Sequence, residues 1–417
     1  MSTWFLVWLL AQVHVWAGSL CPLLGETAVD RLIPYPEISA GEVLRDLDFG
    51  PEGNAIAILG TDHHPAVADE TLRIVQMGQG PTRDLASFDI GQSVDEGLTI
   101  SPEGEWLYAV ADRGASTLIL ARGGEPAEIS RQMLVHRRLA RWLPLLESTT
   151  PSGALVQFPG GDLARVSVVG FDGAREVGAF PLSPRRMIEP RWMASLLPDG
   201  RVAVSWIEEE AAESFVLEIR VVGSSNAVTL DGDVASAFHD GSGGTFSDAL
   251  SIRCEAGRRF HHSLSGVAAG SGRLAIVVRS LTVSGAIIQA VVIDPDRPGD
   301  AVECVRLDEG DGEILEPRVL SFGDDFIAFW RTGQTESRLM ARRFRSDGQL
   351  AGEPVSLGEI VPGIRMRSHY FVRKQDDETF VTLVPAREGF VVRSIPADIR
   401  AVELQRRVRE RICPSVR

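Results

Sequence analysis

Lysine is all but absent: Lys374 is the only one in 417 residues, so arginine carries nearly all of the positive charge. With 57 Asp+Glu against 42 Lys+Arg the formal net charge is −15. Such a chain lacks the basic footprint of a phosphate-backbone binder, and no nucleic-acid partner is expected. Catalytic signatures are missing too. There is no Gly-x-Ser-x-Gly elbow, no Gly-x-x-x-x-Gly-Lys-Ser/Thr phosphate loop, no His-Glu-x-x-His zinc helix and no Ser-x-Asp-x-Gly-x-Thr-Trp box. The usual serine-hydrolase, nucleotide-binding, zinc-protease and sialidase readings therefore fall away, and neither a cofactor nor a metal is expected. Cysteine is scarce, with four residues and no Cys-x-x-Cys spacing, so no zinc knuckle or redox motif is suggested. Long runs with a 3.6-residue apolar period are nearly absent, which excludes a helix-rich fold.

One apolar run stands at the amino end. Residues 4–17 are followed by Gly18 and Ser19, a run of signal-peptide size and shorter than the ~20 residues a spanning helix needs. Small residues at Ala17, Gly18 and Ser19 offer a cleavage site, although Met1-Ser2-Thr3 carries no Lys or Arg. The reading is an export signal over 1–19 with a periplasmic or secreted mature chain; an uncleaved anchor and a misassigned start are the alternatives. No later stretch is long and apolar enough to span a membrane. An even count of cysteines in an oxidising compartment suggests two bridges, and four cysteines allow three pairings.

The remainder, 20–417, reads as one repeat-built domain. At 44% apolar and 24% charged residues it has the composition of a folded protein. A short apolar strand recurs after turns rich in Gly, Pro and Asp, starting at 54, 105, 153, 201, 273, 325 and 379. Five of the six intervals lie near 50 residues, and one carries about twenty more. A four-stranded propeller blade takes ~40–50 residues, so the pattern predicts an all-β propeller of seven four-stranded blades. Six or eight blades follow if the first or last unit is misread. Asp-Gly pairs at Asp172-Gly173 and Asp347-Gly348 supply hairpin turns inside the intervals. The long interval holds an insertion at about 223–266, flexible by composition around 240–246 and a candidate for partner contact.

Three turns echo one another: Gly50-Pro51-Glu52-Gly53, Ser101-Pro102-Glu103-Gly104 and Leu197-Pro198-Asp199-Gly200. At these residues the chain resembles TolB-like β-propellers, whose blades carry a Ser-Pro-Asp-Gly turn before an apolar strand. Ser101–Gly104 with Trp106-Leu107 is the best copy, with Glu where that family usually has Asp. The resemblance covers about a third of the chain and implies a propeller, a fold that hosts scaffolds, sensors and enzymes alike. Elsewhere only period and pattern support it.

A ring must join its ends. Either 28–33 or 401–408 can supply the outer strand that the last repeat lacks. In either case Cys21 and Cys413 fall near one seam and are expected to pair, which leaves Cys254 with Cys304 by default. Closing so long a loop is worth on the order of 4–5 kcal/mol in the chain-entropy account.

Four local constellations are candidate site residues. Asp62-His63-His64 suits metal binding or proton transfer, but one loop supplies too few ligands, and an ordinary polar loop is the simpler reading. His261-His262, with His239-Asp240, would join it only if the loops share a face; a solvated loop is the simpler reading here as well. Glu189/Arg191 and Glu316/Arg318 sit where innermost strands begin and would rim the channel. Paired carboxylates there suit acid–base work on a sugar, yet their repetition suggests structural ion pairs between neighbouring blades. The basic stretch 131–142 reads as an inter-blade connection with exposed arginines. Together these readings predict an exported, non-catalytic propeller that binds a protein or glycan partner through its loop faces. A hydrolase or lyase working in the central channel is the alternative.

Overall fold

The computed structural model describes residues 31–400 apart from loop stretches that include 62–69, 134–139, 182–185, 188–191, 224–249 and 253–260. Nearly all regular structure in the described residues is strand, arranged as seven antiparallel sheets. Six sheets follow the chain in order: 42–90, 93–133, 140–181, 186–252, 261–310 and 314–360. The seventh combines 371–396 with the early strand Arg31–Pro34. The first strand of each sheet touches the first strand of the next, all the way round, so these strands line a central axis. This is a seven-bladed β-propeller. In blade four the innermost position is shared by two short pieces, Arg186–Met187 and Met193–Leu196, both paired with Val202–Ala211.

The recurring apolar strand of the sequence is the second strand of every blade. Ala55–Thr61, Trp106–Asp112 and Leu274–Thr282 are examples. A second strand is covered on both faces by adjacent blades, so it reads as a continuous apolar run and not as an alternation. Ala55, Ala57, Ile58 and Leu59 are all fully buried. The core accordingly consists of seven separate clusters, one at each seam between consecutive blades. Among the described residues, the seam between blades two and three is built on Leu107, Ala109, Leu118, Leu120, Trp142, Leu155 and Val169.

Closure comes from the amino end. Arg31 pairs with Val392 and Ile33 with Phe390 in an antiparallel register, and Ile33 is fully buried against Phe390 and Val392. Of the two strands expected to fill this place, the amino-terminal one fills it; 401–408 lies outside the described residues. A second tie crosses the same seam, where Leu44 N–H donates to the Arg365 carbonyl at 3.1 Å and Arg367 N–H to the Leu44 carbonyl at 3.0 Å.

The expected insertion at 223–266 is not all loop. Leu250–Ile252 is the outermost strand of blade four, and His261–Leu264 is the innermost strand of blade five. No helix of the described residues is long and apolar enough to cross a membrane. Cys304 packs against the seam of blades four and five. Cys21, Cys254 and Cys413 lie outside the described residues, as does the segment 1–30.

Candidate functional site

Innermost strands all start at one face of the ring, and several of their charged residues bond across the seams between blades. Arg45 interrupts the apolar strand Glu42–Phe49, where a register shift between Leu44 and Asp46 sets it apart from the regular alternation. Its side chain is 1% exposed and runs past Gly60, where any Cβ would lie 2.7 Å from Arg45 Cδ. Arg45 pairs with Glu70 of its own blade and donates from Nε to Glu96 of blade two at 2.7 Å. Glu96 also accepts from the Tyr108 hydroxyl at 2.7 Å and from Arg367 at 2.6 Å. Burial opposes the Arg45 charge, but Glu96, Tyr108 and Glu70 outweigh it and hold its pKa above the ordinary value. Burial, with Glu96 beside it, pushes the Tyr108 phenol well up.

Further along the same strand, Asp46 accepts the Leu98 N–H at 2.8 Å and Asp48 accepts the Ile100 N–H at 3.0 Å. Carboxylates of blade one thus bond the backbone of blade two. Burial raises Asp46 to about 7 despite its bonds from Leu98 and Leu47. Asp48 is also raised by burial, and Arg373 of blade seven opposes that rise. Arg373 reaches Asp48 at 3.5 Å and the Phe49 carbonyl at 2.8 Å, and it also donates to the Ile100 carbonyl.

Glu316 lies on the innermost strand of blade six. It holds a left-handed φ of 53°, the only non-glycine residue to do so among the described residues; such strain persists only where surrounding bonds over-determine it. Here they are the His369 N–H at 2.8 Å, His369 Nδ1 at 2.5 Å and Arg331 at 3.6 Å, while the Tyr370 hydroxyl donates to the Glu316 carbonyl. Burial works against the Glu316 charge, but His369 and Arg331 prevail and hold its carboxyl below the usual range. Arg318 donates to Ser368 Oγ at 3.0 Å and lies 5.7 Å from the Tyr370 ring centroid. Glu316 and Arg318 therefore bond blade six to blade seven.

His262 is 1% exposed on its innermost strand, with Nε2 at 3.0 Å from Ser205 Oγ of blade four. His261 is half-buried beside it. The expected solvated loop is instead strand, and His262 belongs to a seam. His63, His64, His239, Asp240, Glu189 and Arg191 lie outside the described residues. Among those described, no three His, Cys, Asp or Glu side chains group as a metal site.

The opposite face carries a groove of about 880 Å³ over blades one to three. Its lining includes Gly50, Asn54, Gly104, Gly123 and 170–173. The Ser-Pro-Glu-Gly turn forms part of it. Ser101 Oγ accepts the N–H groups of Glu103 (3.2 Å) and Glu105 (3.3 Å), and Gly104 takes φ 88°, closed through an N–H bond to the Ser101 carbonyl. Trp106, Ile56, Leu85 and Ile100 line the apolar part. On the blade-three side the Arg122 guanidinium sits 4.1 Å from the Phe171 centroid and pairs with Glu128 (2.8 Å) and Asp172 (2.9 Å). Sequence reading identified the turn but not the groove, because its walls come from repeats about 50 residues apart.

No family model matches the chain, and no curated protein matches it. Solved structures do. The β-propeller domain of the trilobed protease from Pyrococcus furiosus superposes with a TM-score of 0.44 at 11% identity, over 88% of this chain and 98% of that one. Chaetomium thermophilum Sqt1, in complex with the N-terminus of a ribosomal protein, gives 0.44 at 12% identity, over 88% and 100%. AofleA from Arthrobotrys oligospora gives 0.39 at 8% identity, over 80% and 92%. The likeness is one of propeller architecture and extends no further.

Proposed function

We propose that this chain is an exported β-propeller that catalyses nothing and binds a protein partner through its loop faces. One observation carries the reading. The carboxylates that channel chemistry would need are engaged in fixed bonds: Glu96 with Arg45, Arg367 and Tyr108, and Glu316 with His369 and Arg331. Glu96 and Glu316 are mostly buried, so removing a partner strands their charge, and the set braces the ring. A general base needs a lone pair free to meet substrate. The rigid disc that results presents two broad loop faces, as recognition requires. Export through the segment 1–19, bridges Cys21–Cys413 and Cys254–Cys304, and kinship with TolB-like propellers belong to the same proposal.

Native mass spectrometry of the protein from its own source, without chelators and with and without reductant, tests it. The expected result is a mature chain shorter by about twenty residues, as signal cleavage leaves it, with two bridges and a protein partner attached. A bare monomer carrying a small ligand or metal ion would favour the hydrolase or lyase reading, and an attached oligosaccharide would make the partner a glycan. An uncleaved start with four thiols would overturn the compartment.

A further inference from the structure

Resting on that reading, we infer that the groove over blades one to three receives an extended, arginine- or lysine-bearing segment of the partner protein. Its volume of about 880 Å³ lies near the upper end of ordinary ligand sites, ~300–1,000 Å³. Gly50, Gly104, Gly123, Gly170 and Gly173 are part of its lining. At Gly173 a Cβ would meet nothing within 4 Å, and at Gly123 a Cβ would come within 3.3 Å of Trp106 Nε1. Glycine therefore keeps the groove open and bares the edge of the indole, so that another backbone approaches closely.

Charge selects the occupant. The lining holds Glu103, Glu105, Glu128 and Asp172 against Arg122, and Arg122 is already paired with Glu128 and Asp172. Glu103 and Glu105 are exposed beside buried Trp106 and have no ion pair among the described residues. The groove also shows how it holds a guanidinium, because Arg122 lies over Phe171 between two carboxylates. A partner's arginine finds the carboxylate half of that arrangement at Glu103 and Glu105, two exposed side chains at the rim of the groove. The chain's −15 charge steers a cationic segment toward it and repels an acidic one.

The test uses full-length protein and a fluorescein-labelled dodecapeptide alternating Arg and Thr, extended by its β-branched residues, with a Glu/Thr dodecapeptide as control. Fluorescence anisotropy is expected to show saturable binding of the cationic peptide alone, weakened by salt. Gly173→Trp fills the groove from a position with room, and Glu103→Gln with Glu105→Gln removes charge from exposed side chains. Each is expected to weaken binding at least tenfold at unchanged melting temperature; if the tryptophan variant misfolds, the double substitution decides. Equal binding of the acidic peptide, or unchanged binding by the variants, overturns the inference. A co-purified partner that stays on a folded Gly173→Trp protein would sink the groove but leave the binding reading intact. Absence of any partner, with no peptide bound, would sink both.

Discussion

Asp46 shows what one buried carboxylate does to a ring of blades. Its oxygens accept two backbone N–H groups, one from the neighbouring blade, yet burial raises its pKa from 3.8 to about 7. Between those values the folded chain holds a proton that the unfolded chain has lost, so this group's contribution to stability falls as pH rises through that window. Denaturant midpoints from pH 4 to pH 8 are expected to show that decline in the wild type. In Asp46→Asn the slope should flatten by as much as one proton, at some cost from an N–H left without an acceptor. Identical slopes in the two proteins would mean that Asp46 titrates normally. Little of this was legible in the sequence: Asp46 and Asp48 are ordinary acids there, and only the folded ring reveals that their acceptors serve a strand 52 residues away.

Elements differed in how clearly the sequence announced them, and burial explains the order. Second strands were readable because both faces are covered, so every side chain must be apolar. Innermost strands hid themselves by carrying the ring's charge, as Arg45, Asp46 and Asp48 do within Glu42–Phe49. His261–Leu264 was masked by the long interval before it and by its two histidines. The Glu316/Arg318 motif was legible as a repeated pair, but the His369 that Glu316 meets carried no signal beyond being a histidine. The seam between blades two and three offers a test of element packing. A Cβ at Gly153 would lie 2.2 Å from Trp142 Cζ2, so the indole fills the place of a side chain. Gly153→Ala is expected to cost about 1–3 kcal/mol by overpacking, read as a lowered melting temperature. Adding Trp142→Phe, which removes the clashing ring atoms, should recover part of the loss. If Gly153→Ala melts like the wild type, the seam is looser than its geometry implies.

On the scale of the whole molecule, the seven clusters make stability a matter of neighbours, and closure links the last seam to the first. Ile33→Asp places a charge at a fully buried position of that seam. The expected outcome is fast hydrogen exchange along Gly389–Pro396 before the far blades loosen, because local opening starts where ties are few. Uniform exchange around the ring would show instead that the blades unfold as one unit. The period of the repeat had already indicated the blade number; which end closes the ring depended on burial of a four-residue strand too short to read.

That strand also fixes a schedule. Arg31–Pro34 is among the first parts of the ring to leave the ribosome, and its partner Gly389–Pro396 among the last. At ~5–20 residues per second the wait between them lasts on the order of twenty to seventy seconds. Throughout that interval the early strand has no sheet to join. The ring therefore cannot be completed piecemeal during synthesis, and it stays unlatched until its last strand is made.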